Sequence, residues 1–267
     1  LKMKITIFTS NSLRHNYFIN QLSKVAKVYT VVETKTLLPG KLKGFFKQSI
    51  LQEKYFSNVR KAEENFFFKD RSVNKVEKTL VMQQGDINHL KKSDLKPFLN
   101  SNLYLVFGSS YIKGWLVNFL TRKRAINIHM GLSPFYRGSS CNFWAIYNSS
   151  PEHVGATIHF LSKGLDNGKI IYQCLPNLNF KDAYNFTMSS VLSVTRCLVD
   201  LIKKNKLLKI KSIESNKLLE ISYTKKADFT DKIIKKFFTK KLFNLKIIKK
   251  DIISKQKAVL ERPFYLN

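Results

Sequence analysis

Asn127, His129 and Asp166 are of types that handle protons and developing negative charge. An amide and an imidazole each offer an N–H donor, and one donor aimed at an oxyanion is typically worth about 10²–10³-fold in rate. Asn127 and His129 are two residues apart, so on an extended segment their side chains emerge on the same side. A carboxylate nearby favours the donating imidazolium and relays protons. These types fit attack of an amine on a carbonyl carbon.

Each of these residues also has a purely structural interpretation. Asn127 fits a strand end, His129 fits a core histidine with satisfied hydrogen bonds, and Asp166 lies in a Gly-Leu-Asp-Asn-Gly run that suits any tight turn. His159 lies within a strand pattern and is expected to be structural. His129, His153 and His159 lack metal-ligand spacing, so no metal is expected.

Four motifs follow one another in the segment that contains these residues. They are Asn-Ile-His at 127–129, Leu-Ser-Pro-Phe-Tyr-Arg-Gly at 132–138, Gly-Ala-Thr-Ile-His at 155–159 and Asp-Asn-Gly at 166–168. In this order they resemble the folate-dependent formyltransferases, which include glycinamide ribonucleotide transformylase, methionyl-tRNA formyltransferase and the sugar N-formyltransferases. The resemblance extends over about residues 100–175 and is weak beyond 206.

The resemblance implies a reaction and a set of site residues. Asn127, His129 and Asp166 would be catalytic, and 10-formyltetrahydrofolate would be the co-substrate. The expected folate-binding residues are Gly108, Ser110, Tyr111, Ile112, Leu161 and Gly164. The expected substrate-binding residues are Asn11, Ser12, Arg14, Tyr136 and Arg137. A strand-to-helix turn at Gly108, a plain helix cap at Ser12 and a solvated Arg137 remain alternatives.

Departures from the resembled enzymes bear on the acceptor. Residues 9–15 contain no glycine, unlike the phosphate-gripping loop of glycinamide ribonucleotide transformylase. Too few strand signals follow residue 206 for the barrel that helps methionyl-tRNA formyltransferase hold tRNA. The variants at 129–134 and 140–145 resemble sugar enzymes that formylate a nucleotide-linked 4-amino-4,6-dideoxyhexose. Methionyl-tRNA or a small metabolite amine such as glycinamide ribonucleotide is the alternative acceptor. A basic RNA- or surface-binding protein on a decayed formyltransferase fold is the alternative of another class.

Short apolar strands separated by helices must position these residues. The pattern predicts an α/β fold: a Rossmann-like, mostly parallel sheet with helices on both faces, plus a small C-terminal α+β appendage. Ligands of such sheets bind beyond the carboxyl ends of the strands. We assign residues 1–205 to the catalytic domain and 206–267 to the appendage.

Periodicity predicts the individual elements. The expected strands are 4–9, 28–32, 80–83, 103–107 and 125–128, and the expected helices are 13–26, 111–120 and 182–205. Residues 36–78 are expected to be largely helical. The appendage is expected to hold a strand pair near 208–223 and a helix near 231–243.

The net charge of +29 requires an interpretation. Only eight of the 47 basic residues are Arg, so the excess lysine fits solvated faces and attraction to phosphate-bearing substrates better than a nucleic-acid surface. Three scattered cysteines and apolar runs far shorter than about 20 residues predict a cytoplasmic chain without a membrane span. The expected partner is the nucleotide-linked amino sugar rather than nucleic acid, and the resemblance adds a homodimer as a further expectation.

Overall fold

One mixed sheet organises the structure, a computed structural model that describes residues 2–34, 49–180, 182–239 and 245–265. The strands are β1 (Lys4–Ser10), β2 (Lys27–Thr34), β3 (Lys78–Gln83), β4 (Leu103–Phe107), β5 (Ile126–His129), β6 (Tyr136–Gly138), β7 (Ala156–Phe160), β8 (Ile170–Leu175), β9 (Ser222–Thr224) and β10 (Pro263–Tyr265). Eight strands form the sheet in the order β10-β8-β7-β5-β4-β1-β2-β3, while β6 and β9 pair separately.

The sheet is parallel over the five strands from β3 to β5. Strand β7 then runs antiparallel to both β5 and β8, and β10 lies parallel to β8. The predicted mostly parallel, Rossmann-like sheet is therefore confirmed. The carboxyl ends of β1, β4 and β5 share one edge, which is where the resemblance places the site.

Helices cover both faces of this sheet. They are α1 (Leu13–Ser23), α2 (Ile50–Phe67), α3 (Gly114–Arg122), α4 (Cys141–Tyr147), α5 (Ala183–Lys203), α6 (Asp231–Thr239) and α7 (Leu245–Val259). Because side chains alternate along a strand, residues 103, 105 and 107 of β4 pack in the apolar cluster with α1 and α5. Residues 104 and 106 pack in the opposite cluster with α3. None of the described helices combines the length and apolarity needed to cross a membrane.

Most predicted elements are confirmed, with shifted ends. Helix α1 begins at Leu13 as expected, after Ser12, whose side chain makes no capping hydrogen bond. Helix α3 begins at Gly114 rather than 111, so residues 108–113 form an extended link between β4 and α3. Helix α2 confirms the helical expectation for residues 50–67. Residues 35–48 lie outside the described residues.

The expected strand pair near 208–223 is wrong. Residues 207–209 and 217–219 form single 3-10 turns, and Ile213 makes only an isolated bridge to Ile170. The strand of this region, β9, pairs in parallel with β6, which precedes it by more than eighty residues. Helix α6 confirms the helix expected near 231–243 as far as Thr239, and residues 240–243 lie outside the described part.

The segment after residue 205 contacts the earlier part of the chain extensively. Strand β10 extends the main sheet beside β8. Phe237, Ile252 and Leu260 lie in one apolar cluster with Leu132 and Phe186. The assignment of 206–267 as an appendage stays a prediction, and these residues share a core with the segment that carries the site.

Candidate functional site

The three predicted catalytic residues converge at the carboxyl end of β5. The Asn127 amide Nδ2 donates to Asp166 Oδ1 at 3.5 Å, and His129 Nδ1 lies 3.3 Å from the same oxygen. Asn127 comes from the middle of β5, His129 ends that strand, and Asp166 comes from the loop between β7 and β8. His129 and Asp166 are 7% and 8% exposed. One amide, one imidazole and one carboxylate thus converge, with the imidazole and the carboxylate buried and the amide half-buried.

His159 is a fourth member of this cluster, although its position within a strand pattern predicted a structural role. Antiparallel pairing sets it opposite Asn127, and its Nε2 lies 3.0 Å from Asn127 Nδ2. Its Nδ1 donates to the Phe160 carbonyl at 2.9 Å, so Nε2 must accept from the amide. Burial lowers the pKa of His159 to about 4, although the Asp166 carboxylate opposes that shift. A neutral His159 therefore orients the amide of Asn127.

Both ring nitrogens of His129 are engaged. Nε2 lies 3.1 Å from the Tyr136 carbonyl oxygen, which can only accept, so Nε2 carries a hydrogen. Nδ1 faces the Asp166 carboxylate. The ring is therefore fixed between a carbonyl and a carboxylate, as in sites where a second partner orients an imidazole.

Asp166 is held in an unusual backbone conformation. Its φ is +47°, in the left-handed region that a residue other than glycine rarely adopts. Its Oδ2 accepts from the Gly138 N–H at 3.1 Å, and its carbonyl accepts from the Ser133 hydroxyl at 3.4 Å. Burial, followed by the nearby Asp166 charge, raises the pKa of the adjacent Cys141 thiol well above its ordinary value. The thiol is therefore not poised as a nucleophile.

The residues predicted to bind folate lie in two loops that meet. Ile112 is buried in the apolar cluster of α3, and Leu161 packs against that cluster. The Tyr111 hydroxyl donates to the Lys163 carbonyl at 2.6 Å and joins the loops. Gly108 has φ +76°, and a Cβ there would lie 2.3 Å from His15 Nε2. Gly164 similarly faces the Asn167 side chain. A glycine is therefore required at Gly108 by both its backbone conformation and the close approach of His15, whereas at Gly164 the Asn167 side chain could move aside.

Glu33 supports the first of these loops and was missed from the sequence. This carboxylate is buried at the end of β2, accepts from the Gly85 N–H at 2.8 Å and accepts from the Ser110 N–H at 2.5 Å. A lone Glu after a strand gives no signal of this role. The pairing of β1 between β2 and β4 brings it there.

The predicted substrate residues of the first loop lie beyond the end of β1. Asn11 is exposed, and the Ser12 carbonyl accepts from the His15 and Asn16 N–H groups as an ordinary helix start. Arg14 is paired with Glu63, at 3.1 Å between Nη1 and Oε2. These positions share the sheet edge of the catalytic cluster. Their contact with a substrate stays a prediction.

Tyr136 and Arg137 are less exposed than we expect for residues at the entrance to a substrate site. Tyr136 is 1% exposed, and its hydroxyl accepts from Asn148 at 3.3 Å. Arg137 donates from Nε and Nη2 to the Leu165 carbonyl at 3.2 and 2.7 Å and from Nη1 to Glu220 at 2.5 Å. Both side chains are engaged within the protein, and a substrate contact for either stays a prediction.

Comparison with known proteins identifies the segment that carries the cluster. Residues 110–192 match the family model described as formyl transferase, and all four cluster residues lie within that range. A methionyl-tRNA formyltransferase from Desulforamulus reducens is 46% identical over 52 residues, which is 20% of this chain and 16% of that protein. The chain therefore matches only about a sixth of that relative's length.

Solved structures share the fold of most of the chain. A sugar N-formyltransferase from a Shewanella species superposes with a TM-score of 0.51 at 18% identity, covering 85% of this chain and 78% of that one. Phosphoribosylglycinamide formyltransferase from Anaplasma phagocytophilum gives 0.51 at 19% identity, covering 79% and 90%. These similarities establish the shared fold. Together with the matched segment they confirm the predicted resemblance: the chain shares the fold of these formyltransferases, and residues 110–192 match the formyl transferase family model.

Proposed function

We propose that this chain is an N-formyltransferase that moves the formyl group of 10-formyltetrahydrofolate to the amine of a nucleotide-linked amino sugar. The observation that carries the proposal is the convergence of Asn127, His129, His159 and Asp166 within a few ångströms, inside the formyl transferase segment. Packing alone does not explain this cluster, because a buried carboxylate is costly to maintain.

Each side chain has a role that follows from its contacts. Neutral His159 accepts from the Asn127 amide, which keeps this donor directed into the cluster beside Asp166. A donor that is already oriented stabilises charge developing on a carbonyl oxygen without reorganisation. Asp166 lies between the imidazoles, where its carboxylate can accept a proton from the attacking amine, directly or through one water.

His129 requires a change of partner to act as a second donor. Its Nε2–H points at the neutral Tyr136 carbonyl, whereas Nδ1 faces the Asp166 carboxylate. Hydrogen bonds between charged partners are roughly twice as strong as neutral ones. The contact to Tyr136 is therefore the one we expect to be exchanged for the oxygen of the transferred group. Apo hydrogen bonds of catalytic residues commonly rearrange in this way when substrate binds.

The two loops fit the planar, partly apolar ring of the folate. Residues 108–113 are outside both the strand and the helix that flank them, so their backbone groups are not committed to regular structure. Ile112 and Leu161 supply apolar contacts from the same cluster. The folate would supply the formyl carbon, and these residues would hold its ring.

The acceptor is inferred from features that disfavour the alternatives. The turn after β1 contains no glycine with which to grip a ribose phosphate, although Ser12 and Arg14 lie there. Among the described residues after 205, strands β9 and β10 both pair with earlier strands and form no barrel. The excess of lysine suits a diphosphate-bearing acceptor. Methionyl-tRNA, glycinamide ribonucleotide and a non-catalytic basic binding protein remain the competing hypotheses, and a cytoplasmic location stays a prediction.

The test is a transfer assay with a panel of acceptors. Purified protein is incubated with 10-formyltetrahydrofolate and, in turn, nucleotide-linked 4-amino-4,6-dideoxyhexoses, glycinamide ribonucleotide and methionyl-tRNA. Tetrahydrofolate release and the mass of the formylated product are followed. We expect transfer to an amino sugar alone. Transfer only to methionyl-tRNA or glycinamide ribonucleotide contradicts the acceptor, and formate release without an acceptor indicates hydrolysis instead.

Alanine variants test the site within the same assay. Asn127→Ala, His129→Ala and Asp166→Ala should each lower turnover by about 10²–10³-fold, the usual effect of losing one such group. His89→Ala is the matched control, because His89 is exposed and lies outside the cluster. Turnover near the control level in all three variants contradicts the assignment.

A further inference from the structure

Arg137 connects the catalytic loop to the C-terminal segment. Its Nε and Nη2 both donate to the Leu165 carbonyl, and its Nη1 pairs with Glu220 Oε2 at 2.5 Å. Leu165 directly precedes Asp166. A guanidinium that donates twice to one carbonyl and once to a carboxylate has its orientation fixed by the fork geometry. Glu220 thereby orients the Arg137 guanidinium, which in turn hydrogen-bonds to the peptide group preceding Asp166.

The hydrogen bonds from Arg137 to the Leu165 carbonyl matter because the backbone of Asp166 is in the left-handed region. With φ +47° it occupies a conformation that costs free energy for a residue with a side chain, so surrounding contacts must maintain it. The Leu165 carbonyl belongs to the peptide group whose rotation sets that φ. Without Glu220, Arg137 keeps its two donations to the Leu165 carbonyl but loses the carboxylate that fixes its guanidinium, so this peptide is held less firmly and the Asp166 carboxylate can shift relative to His129 and Asn127.

The strand next to Glu220 supports the other contact of Asp166. Strand β9 pairs with β6, and the Ser139 N–H donates to the Thr224 carbonyl at 2.8 Å. Strand β6 contains Gly138, whose N–H donates to Asp166 Oδ2. Residues 220–224 therefore support Asp166 on two sides, at its backbone through Arg137 and at its carboxylate through Gly138.

We propose that Glu220 is a positioning residue for the formyl transfer, acting through Arg137 and the Leu165 carbonyl on the carboxylate of Asp166. The expected effect on turnover rests on the proposed function. Glu220 itself touches none of the clustered side chains through any contact described above. The Arg137 and Glu220 side chains are only 13% and 29% exposed, so loss of Glu220 should cost some stability as well as turnover.

A second glutamate on the same segment provides a control in a more exposed ion pair. Glu214 pairs with Lys169, and both side chains are largely exposed, at 76% and 57%. The pairs Glu214–Lys169 and Glu220–Arg137 both join the C-terminal segment to the domain that carries the site, but only the latter reaches Leu165. Glu220→Gln and Glu214→Gln each remove one negative charge without changing side-chain size.

The experiment compares both variants in the full chain by amide hydrogen exchange and by steady-state kinetics. In Glu220→Gln we expect faster exchange at the Gly138 amide, because its N–H donates to Asp166 Oδ2 and loses that acceptor when the carboxylate moves. We also expect a kcat lowered by about 10–100-fold, as for a catalytic group displaced by about 1 Å, and little change in KM. Glu220→Asp should recover part of kcat, because it restores the charge. Glu214→Gln should match the wild type in both measurements.

The outcomes separate this inference from the proposed function. Wild-type exchange at the Gly138 amide in Glu220→Gln overturns the inference, whatever the turnover. Wild-type kcat in Glu220→Gln, or an equal loss in Glu214→Gln, also overturns it. If the wild-type chain transfers no formyl group to any acceptor, the proposed function fails, and the exchange data alone then decide whether Glu220 holds the Asp166 loop.

Discussion

Gly138→Ala is the substitution whose consequences the structure predicts most fully. Gly138 has φ +91°, and a Cβ there would lie 2.1 Å from the backbone oxygen of Thr224. The left-handed conformation alone costs an alanine about 1–2 kcal/mol. The clash is with backbone rather than with a flexible side chain, so β6 and β9 must separate, at an overpacking cost of about 1–3 kcal/mol. We expect unfolding free energy to fall by about 2–5 kcal/mol in total.

Gly85→Ala isolates the conformational part of this cost. Gly85 has φ +102°, and nothing lies within 4 Å of an added Cβ, so only about 1–2 kcal/mol should be lost. Urea denaturation of both variants gives the two free energies. In the folded Gly138→Ala protein the N–H that holds Asp166 Oδ2 is displaced, and turnover should fall by about 10²-fold. Equal destabilisation in both variants, or full activity in Gly138→Ala, refutes this reasoning.

Two further predictions concern the buried histidine and the loop contact. Burial lowers the pKa of His159 to about 4, so between pH 4 and about 6.5 the unfolded chain binds a proton that the folded chain excludes. The free energy of unfolding should therefore rise with pH over that window, by up to about 3 kcal/mol, and then level off. Urea denaturation at pH 4.5 and 7 should show a smaller difference in His159→Gln, and an unchanged difference contradicts the shift. Tyr111→Phe removes the hydroxyl that donates to the Lys163 carbonyl, a loss of about 1 kcal/mol that should weaken tetrahydrofolate binding about fivefold. Calorimetry with the variant measures this, and an unchanged Kd shows that the contact does not order the folate loops.

The sequence was most informative where local spacing determines geometry. The continuous apolar run of β4 predicts a buried parallel strand, and the i, i+2 spacing of Asn127 and His129 predicts that they share a side of β5. Both expectations agree with the structure. The convergence of Asp166 with them came from the resemblance, because nothing in a Gly-Leu-Asp-Asn-Gly turn specifies which strand end it approaches.

Contacts between distant segments could not be predicted. The place of His159 in the cluster could not be predicted, because it lies opposite Asn127 only when β7 runs antiparallel within a mostly parallel sheet. Its strand position alone indicated a structural role. Arg137 seemed available to a ligand, since its partner Glu220 comes from a segment where we expected a local strand pair. That expectation was wrong because β9 finds its partner in β6 rather than in a neighbouring strand. The Ser-Tyr-Thr sequence of β9 contains nothing that identifies the strand with which it pairs.

The 83 residues that separate Arg137 from Glu220 impose an order on biosynthesis. A ribosome adding about 5–20 residues per second takes several seconds to pass from one to the other. During that interval the Asp166 loop has been made without the ion pair and the strand that hold it, and the edge of β8 has not yet received β10. At this stage the edge of β8 should be open to pairing with other strands, and β10 covers that edge once it has been made.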